Sequence, residues 1–160
     1  MNALHALVAL ACSAPLVAGA ARYAGVVSHV TDGDTVWVRP AGGGPAQHVR
    51  ITGIDAPEIC QPFGADSREA LASFVLHKRV TLDTRGADDY RRTVARLRVG
   101  KEDVGAWMVS RGYAWSYRFR NDPGPYASQE ARARTARVGL WGTSNNERPR
   151  DFRVRHGSCH

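Results

Sequence analysis

The chain has 160 residues, of which 43% are hydrophobic, enough for one packed core and too few for several domains. Lys and Arg total 22 against 15 Asp and Glu, a net charge of +7, and no Lys or Arg lies in the first twenty residues. Such a surplus disfavours a cationic partner and steers a polyanion toward the surface. All the basic residues except Lys78 and Lys101 are arginine, the side chain that grips phosphate through two parallel hydrogen bonds.

Residues Ala3 to Leu16 are almost wholly apolar, and Val17-Ala18-Gly19-Ala20 supplies small residues suited to signal-peptidase cleavage. Residues 1–20 are expected to be a signal peptide cleaved after Ala20, so the mature chain is periplasmic or extracellular and has no membrane segment. The alternatives are a short anchor or a buried core helix, but the stretch is short for a bilayer span. Cys12 would leave with this leader. Cys60 and Cys159 would remain, either as a disulfide tying the tail to the Pro57-Glu58 loop or as two unrelated thiols; an even count in an exported small domain favours the bridge.

Tyr23 to Val30 and Thr35 to Val38 read as a hairpin turning at Thr31-Asp32-Gly33-Asp34. Pro40 to Pro45 forms the next reversal, and His48 to Ile54 a third strand. A helix follows, capped by Asp66 or Ser67 with Glu69 at capping-box spacing, its apolar face made by Leu71, Phe74 and Val75. Arg79 to Asp83 and Arg92 to Val99 give two further strands around the polar loop Arg85 to Asp89. Val104, Trp107 and Met108 mark a second helix stopping at Gly112, and a third runs from about Ser128 to Val138, closed by Gly139. The resulting expectation is an α+β fold, a five-stranded OB-type β-barrel with about three helices packed alongside, over residues 21–142. Residues 143–160 read as a polar, Arg-rich tail, loosely held except near Cys159.

Chemistry concentrates in three places: Asp32-Gly33-Asp34-Thr35, Arg50 with Asp55-Ala56-Pro57-Glu58, and Tyr90-Arg91-Arg92. Asp34 and Asp55, with the Ala56 carbonyl, offer the oxygen donors a hard dication such as Ca²⁺ requires. Arg50 and Arg92 suit the charge that builds on the nonbridging oxygens of a phosphodiester under attack. Glu58 is a candidate general base for water, or else a water-mediated metal ligand or an arginine's partner. Tyr90, Tyr117 and Phe119 could stack on bases or belong to the core. Strict alternation along one strand would put Arg50 and Asp55 on opposite faces, a conflict that a bulge at Gly53 would relieve.

These motifs, together with the Ala-rich helix ending in Gly139-Leu140-Trp141, resemble the staphylococcal nuclease (thermonuclease) family in the same order, from about Ala24 to Trp141. The resemblance implies an OB-fold, calcium-dependent nuclease that acts on single-stranded DNA, DNA and RNA with little sequence preference and leaves 3′-phosphate ends. Carried over, Asp34 and Asp55 hold Ca²⁺ with Asp32 and Thr35 in support. Arg50 and Arg92 bind the scissile phosphate, Glu58 acts on the attacking water, Tyr90 touches the nucleotide, and Tyr117 walls its pocket. A monomer is expected. Two positions depart from the family pattern: Arg91 stands where a glycine usually precedes the second arginine, and Asp89 where a basic residue often precedes the tyrosine. The alternative reading is a noncatalytic OB-fold module that binds nucleic acid. Asp34, Asp55 and Glu58 argue against it, since carboxylates left without a cation repel phosphate.

Overall fold

The computed structural model describes residues 21–144 and 146–159; the expected leader and Cys12 lie outside them. In chain order the elements are β1 (Arg22–Asp32), β2 (Thr35–Pro40), β3 (Gln47–Ile51), β4 (Ile54–Asp55), α1 (Gly64–Val75), β5 (Arg79–Ala87) and β6 (Thr93–Val99). Then come β7 (Glu102–Asp103), α2 (Val104–Ser110), β8 (Trp115–Ser116), α3 (Ala127–Thr135), a 3-10 turn (Gly139–Gly142) and α4 (Pro149–His156). Strands run in the order β3-β2-β1-β5-β6-β7, and a further β3–β6 pairing closes five of them into a barrel. That closing pair is parallel, with Val49 opposite Thr93, Arg50 opposite Val94 and Ile51 opposite Ala95.

Period-two patterning drives these strands. In β2, Val36 and Val38 are buried while Trp37 and Arg39 face out; in β6, Ala95 and Leu97 point inward between Arg96 and Arg98. The barrel interior joins them to Val27, Val49, Ile51, Val80 and Leu82, and α1 covers one end with Leu71 and Val75. A smaller apolar group, Trp115, Ala133, Leu140 and Trp141, packs α3 and the 3-10 turn together.

Four expectations are corrected. The third strand is broken: β3 stops at Ile51, and after Thr52-Gly53, with Gly53 at φ 83°, the chain restarts as β4 paired with β8. Helix α1 begins at Gly64, ahead of the expected caps, because the Ser67 N–H already bonds Phe63 O at 3.0 Å and the Ser67 hydroxyl donates to Tyr113 O at 2.7 Å. Asp66 stays in the first turn, where its charge meets the positive helix end. Helix α3 ends at Thr135, short of Val138, as Arg137 turns left-handed at φ 51° and the Val138 N–H returns to Ala133 O. Finally, the tail carries a fourth helix, α4, with Pro149 at its start, Asp151 in the first turn, Arg153, Arg155 and His156 in the last, and Gly157 beyond.

Asp103 welds the barrel to α2. Its carboxylate caps the helix through the Ala106 N–H at 2.9 Å, accepts the Tyr126 hydroxyl at 2.8 Å and pairs with Arg96. Burial works to raise its pKa, but those donors outweigh it and hold the carboxyl below its ordinary value. A depressed folded-state pKa contributes stability that is present above the unfolded-state value and lost as pH falls through the folded one. Asp103→Asn, which keeps a capping oxygen but no charge, is expected to cost about 1–2 kcal/mol near neutrality. The gap should begin to narrow below about pH 4, the ordinary value of an unfolded aspartate, and go on narrowing as pH falls toward the lower folded-state value. Melting temperatures of both proteins at pH 7 and pH 2.5 check this; an equal gap at both would reject it.

Candidate active site

Asp32 pairs with Thr35 across the β1–β2 hairpin, leaving Gly33-Asp34 at the tip, yet this turn is not solvated. Asp32, Asp34, Thr35 and Asp55 are all buried. The tip lies under α1 and β4: a side chain at Gly33 would run into Ser67 and, at 2.7 Å, Ala56. Asp34 is held from several sides. Its N–H donates to Asp32 Oδ1 at 2.9 Å, the Thr35 hydroxyl donates to its Oδ1 at 2.9 Å, and the Ala56 N–H donates to its Oδ2 at 2.8 Å.

The broken third strand resolves the conflict between Arg50 and Asp55. Arg50 folds back over the Thr52-Gly53 turn, donating from Nη1 to Ile51 O at 2.7 Å and from Nη2 to Ile54 O at 3.0 Å. Nη2 also lies 3.0 Å from Asp34 Oδ2 and 3.5 Å from Asp55 Oδ1. One guanidinium therefore ties together two carboxylates supplied by separate loops.

The cluster is short of positive charge. Burial, and then the neighbouring Asp34 charge, pushes Asp32 up to about 7. Burial and Asp34 likewise raise Asp55, although Arg153 and Arg50 pull the other way. Buried carboxylates that repel one another in this way are met by a cation, and an all-oxygen donor set suits a hard one. Among the described residues no three His, Cys, Asp or Glu side chains form a ready-made metal group. Asp34 and Asp55 are the paired carboxylates here that could hold such an ion.

Glu58 is the arginine partner that was one of its possible roles. Its Oε1 accepts from Arg153 Nη1 at 2.8 Å, and the same guanidinium reaches Asp55 Oδ1 at 3.1 Å and Oδ2 at 3.3 Å. Arg153 comes from α4, the helix missing from the sequence reading. The Asp55 and Glu58 carboxylates raise its pKa although burial opposes this. Cys60 and Cys159 are joined, with Cα atoms 5.8 Å apart, and Gln61 Nε2 donates to Glu147 O at 2.7 Å, so the tail is fastened beside the Glu58 loop. The Pro149 and Gly157 punctuation around Phe152 was the sequence signal for this helix.

Arg92 and Tyr90 form a second, more open group. Arg92 sits just before β6, its Nε donating to Asp88 Oδ2 at 2.7 Å and its guanidinium 5.2 Å from the Tyr90 ring centroid. Tyr90, Tyr117 and Phe119 are exposed rather than core. The Tyr117 N–H donates to Gly53 O at 2.9 Å, placing that residue beside the Thr52-Gly53 turn over which Arg50 folds. Asp88 organises the loop, its Oδ1 accepting the N–H groups of Tyr90 at 3.1 Å and Arg92 at 2.9 Å. Arg91 keeps the left-handed geometry that glycine would take, at φ 61°. Arg91→Gly is therefore expected to stabilise the protein by up to about 1 kcal/mol, as strain relief exceeds the added freedom of the unfolded chain. Urea denaturation of the two proteins measures it; a loss of stability would mean that the Arg91 side chain contributes more than its backbone costs.

The staphylococcal nuclease homologue family matches residues 48–143 of this chain. The chain belongs to that family. A relative described as an uncharacterized endonuclease, from Haemophilus influenzae, is 35% identical over 128 residues, covering 79% of this chain and 71% of its own. A micrococcal nuclease of Shigella flexneri is 31% identical over 166 residues, covering 95% and 94%. A probable staphylococcal-like nuclease of rice is 36% identical over 105 residues, which is 66% of this chain but 21% of the longer plant protein. The family match takes in Arg50, Asp55, Ala56, Glu58, Tyr90, Arg92 and Tyr117, while the Asp32 to Thr35 turn and α4 lie outside it.

Proposed function

We propose that this protein is an exported, calcium-dependent nuclease that hydrolyses phosphodiester bonds of DNA and RNA without sequence preference, leaving 3′-phosphate ends. The observation that carries the reading is the meeting of Arg50 with the buried Asp34 and Asp55, next to Glu58. Asp34 and Asp55, with the Ala56 carbonyl, would hold the cation, with Asp32 and Thr35 fixing Asp34. When bound, Ca²⁺ supplies charge to a nonbridging phosphate oxygen and to the attacking water.

The chain's own side chains do the rest. Arg50 presents its guanidinium to the scissile phosphate, where negative charge grows during attack. Asp88 holds Arg92 by Nε, which orients the fork with its two Nη groups as the remaining donors. Glu58 takes the proton of the attacking water at a carboxylate oxygen. Tyr90 and Tyr117 offer ring faces to the bases, and stacking is indifferent to sequence. The polyanionic substrate fits the net charge of +7. Among the described residues no helix is long and apolar enough to cross a membrane, and a disulfide accords with an oxidising compartment. The protein is proposed to act as a monomer.

The test is digestion of single-stranded DNA with Ca²⁺, with chelator, and with Asp34→Ala. Cleavage by the wild type alone, and only with the metal, is the expected result. Retardation of the DNA without cleavage under every divalent ion tried would replace the enzyme by a noncatalytic binding module.

A further inference from the structure

The Arg153 guanidinium occupies carboxylate oxygens on which the proposed reaction depends. It donates to both oxygens of Asp55 and to Glu58 Oε1, within 2.8–3.3 Å, and is only 31% exposed. A hard cation and a guanidinium seek the same lone pairs on Asp55. On Glu58 the same guanidinium takes Oε1, one of the two carboxylate oxygens that a water proton could reach.

The helix that delivers this arginine is weakly seated. Of the eight residues of α4 only Pro149 and Phe152 are buried, and Val154 is 81% exposed. Besides those two side chains and the bond from Gln61 to Glu147 O, a covalent tie holds it. Cys60 lies two residues beyond Glu58, Cys159 six beyond Arg153, and the bridge between them closes a short ring around the Arg153–Glu58 contact. Within such a ring Arg153 meets the carboxylates as an intramolecular partner at high effective concentration. Cys60 is exposed, so a thiol or phosphine reductant can reach the bond.

We propose that α4 is an autoinhibitory latch, in which Arg153 competes with the divalent cation for Asp55 and engages Oε1 of Glu58, and the Cys60–Cys159 bridge holds the latch shut. Reduction of the bridge lowers the effective concentration of Arg153 and shifts the competition toward the cation. The latch rests on the assignment of Asp55 as a cation ligand made above.

Calcium binding followed by titration calorimetry, without nucleic acid, tests it. Arg153→Gln is expected to tighten Ca²⁺ binding by about tenfold, which is the removal of one charge-assisted contact of roughly 1.4 kcal/mol. Reduction by a phosphine, or the paired Cys60→Ser and Cys159→Ser change, should tighten the wild type several-fold and leave Arg153→Gln unmoved. Phe152→Ala, which loosens α4 without touching the carboxylates, should shift affinity in the same direction; circular dichroism confirms that each variant is folded. Equal or weaker Ca²⁺ binding by folded Arg153→Gln, with binding still abolished by Asp34→Ala, would overturn the latch and leave the cation site standing. No Ca²⁺ binding by any form would remove the cation site, and the latch with it.

Discussion

Arg50→Ala is expected to lower kcat on single-stranded DNA by roughly 10²–10³-fold, with a much smaller change in KM. The asymmetry follows from where the guanidinium sits. It is fixed by Ile51 and Ile54 carbonyls and lies against Asp34 and Asp55, so it is organised before substrate arrives. A donor held in this way contributes most when charge develops on the phosphate. Arg50→Lys should recover little, because a point charge replaces a planar fork that bonds in two directions. Single-turnover kinetics at saturating Ca²⁺ provide the measurement, with melting curves to show that the barrel is intact. A folded Arg50→Ala enzyme with near wild-type kcat would remove this residue from the chemistry.

Glu130→Ala is expected to destabilise the fold by about 3 kcal/mol. Glu130 is 1% exposed and acts as a hub. Its Oε2 accepts the Ser116 N–H at 2.9 Å, while Oε1 accepts Arg118 at 2.7 Å and Arg134 Nε at 2.9 Å. Both arginines can turn to solvent when the carboxylate is lost, which moderates the cost; the buried Ser116 N–H cannot. The damage should spread to the active site, because Ser116 belongs to β8, whose partner β4 carries Asp55 opposite Trp115. Thermal denaturation and the temperature at which cleavage fails should therefore fall together. A loss of under about 1 kcal/mol would show that the hub is dispensable, as a surface ion pair would be.

The barrel was legible because its strands alternate and its turns are punctuated by Asp-Gly, Pro and Gly. The buried carboxylates were legible because each sits in a short motif whose neighbours are also used: Asp34 with Thr35, Asp55 with Ala56. Even the awkward geometry of Arg50 left a trace in Gly53. Helix α4 left less, since a segment of mostly polar residues with Phe152 as its buried apolar anchor has no face for periodicity to detect. Its order depends on tertiary attachment through Cys159 and Glu147. For the same reason Arg153 was invisible as a site residue: its partners lie 95 and 98 positions away. Asp88 was seen only as loop polarity, because the hydrogen bonds it accepts become apparent once the turn conformation is known.

Barrel closure also decides when the protein becomes dangerous. Arg50 lies on β3 and Arg92 just ahead of β6, strands that meet only through the parallel pairing of Val49, Arg50 and Ile51 with Thr93, Val94 and Ala95. Contacts so distant along the chain are the ones whose loop-closure entropy delays them during folding. On the proposed assignment of Arg50 and Arg92 to the scissile phosphate, a nascent or unfolded polypeptide carries both arginines but has not brought their strands together. With the two arginines in their proposed roles, closure of the β3–β6 seam is a precondition for cutting nucleic acid.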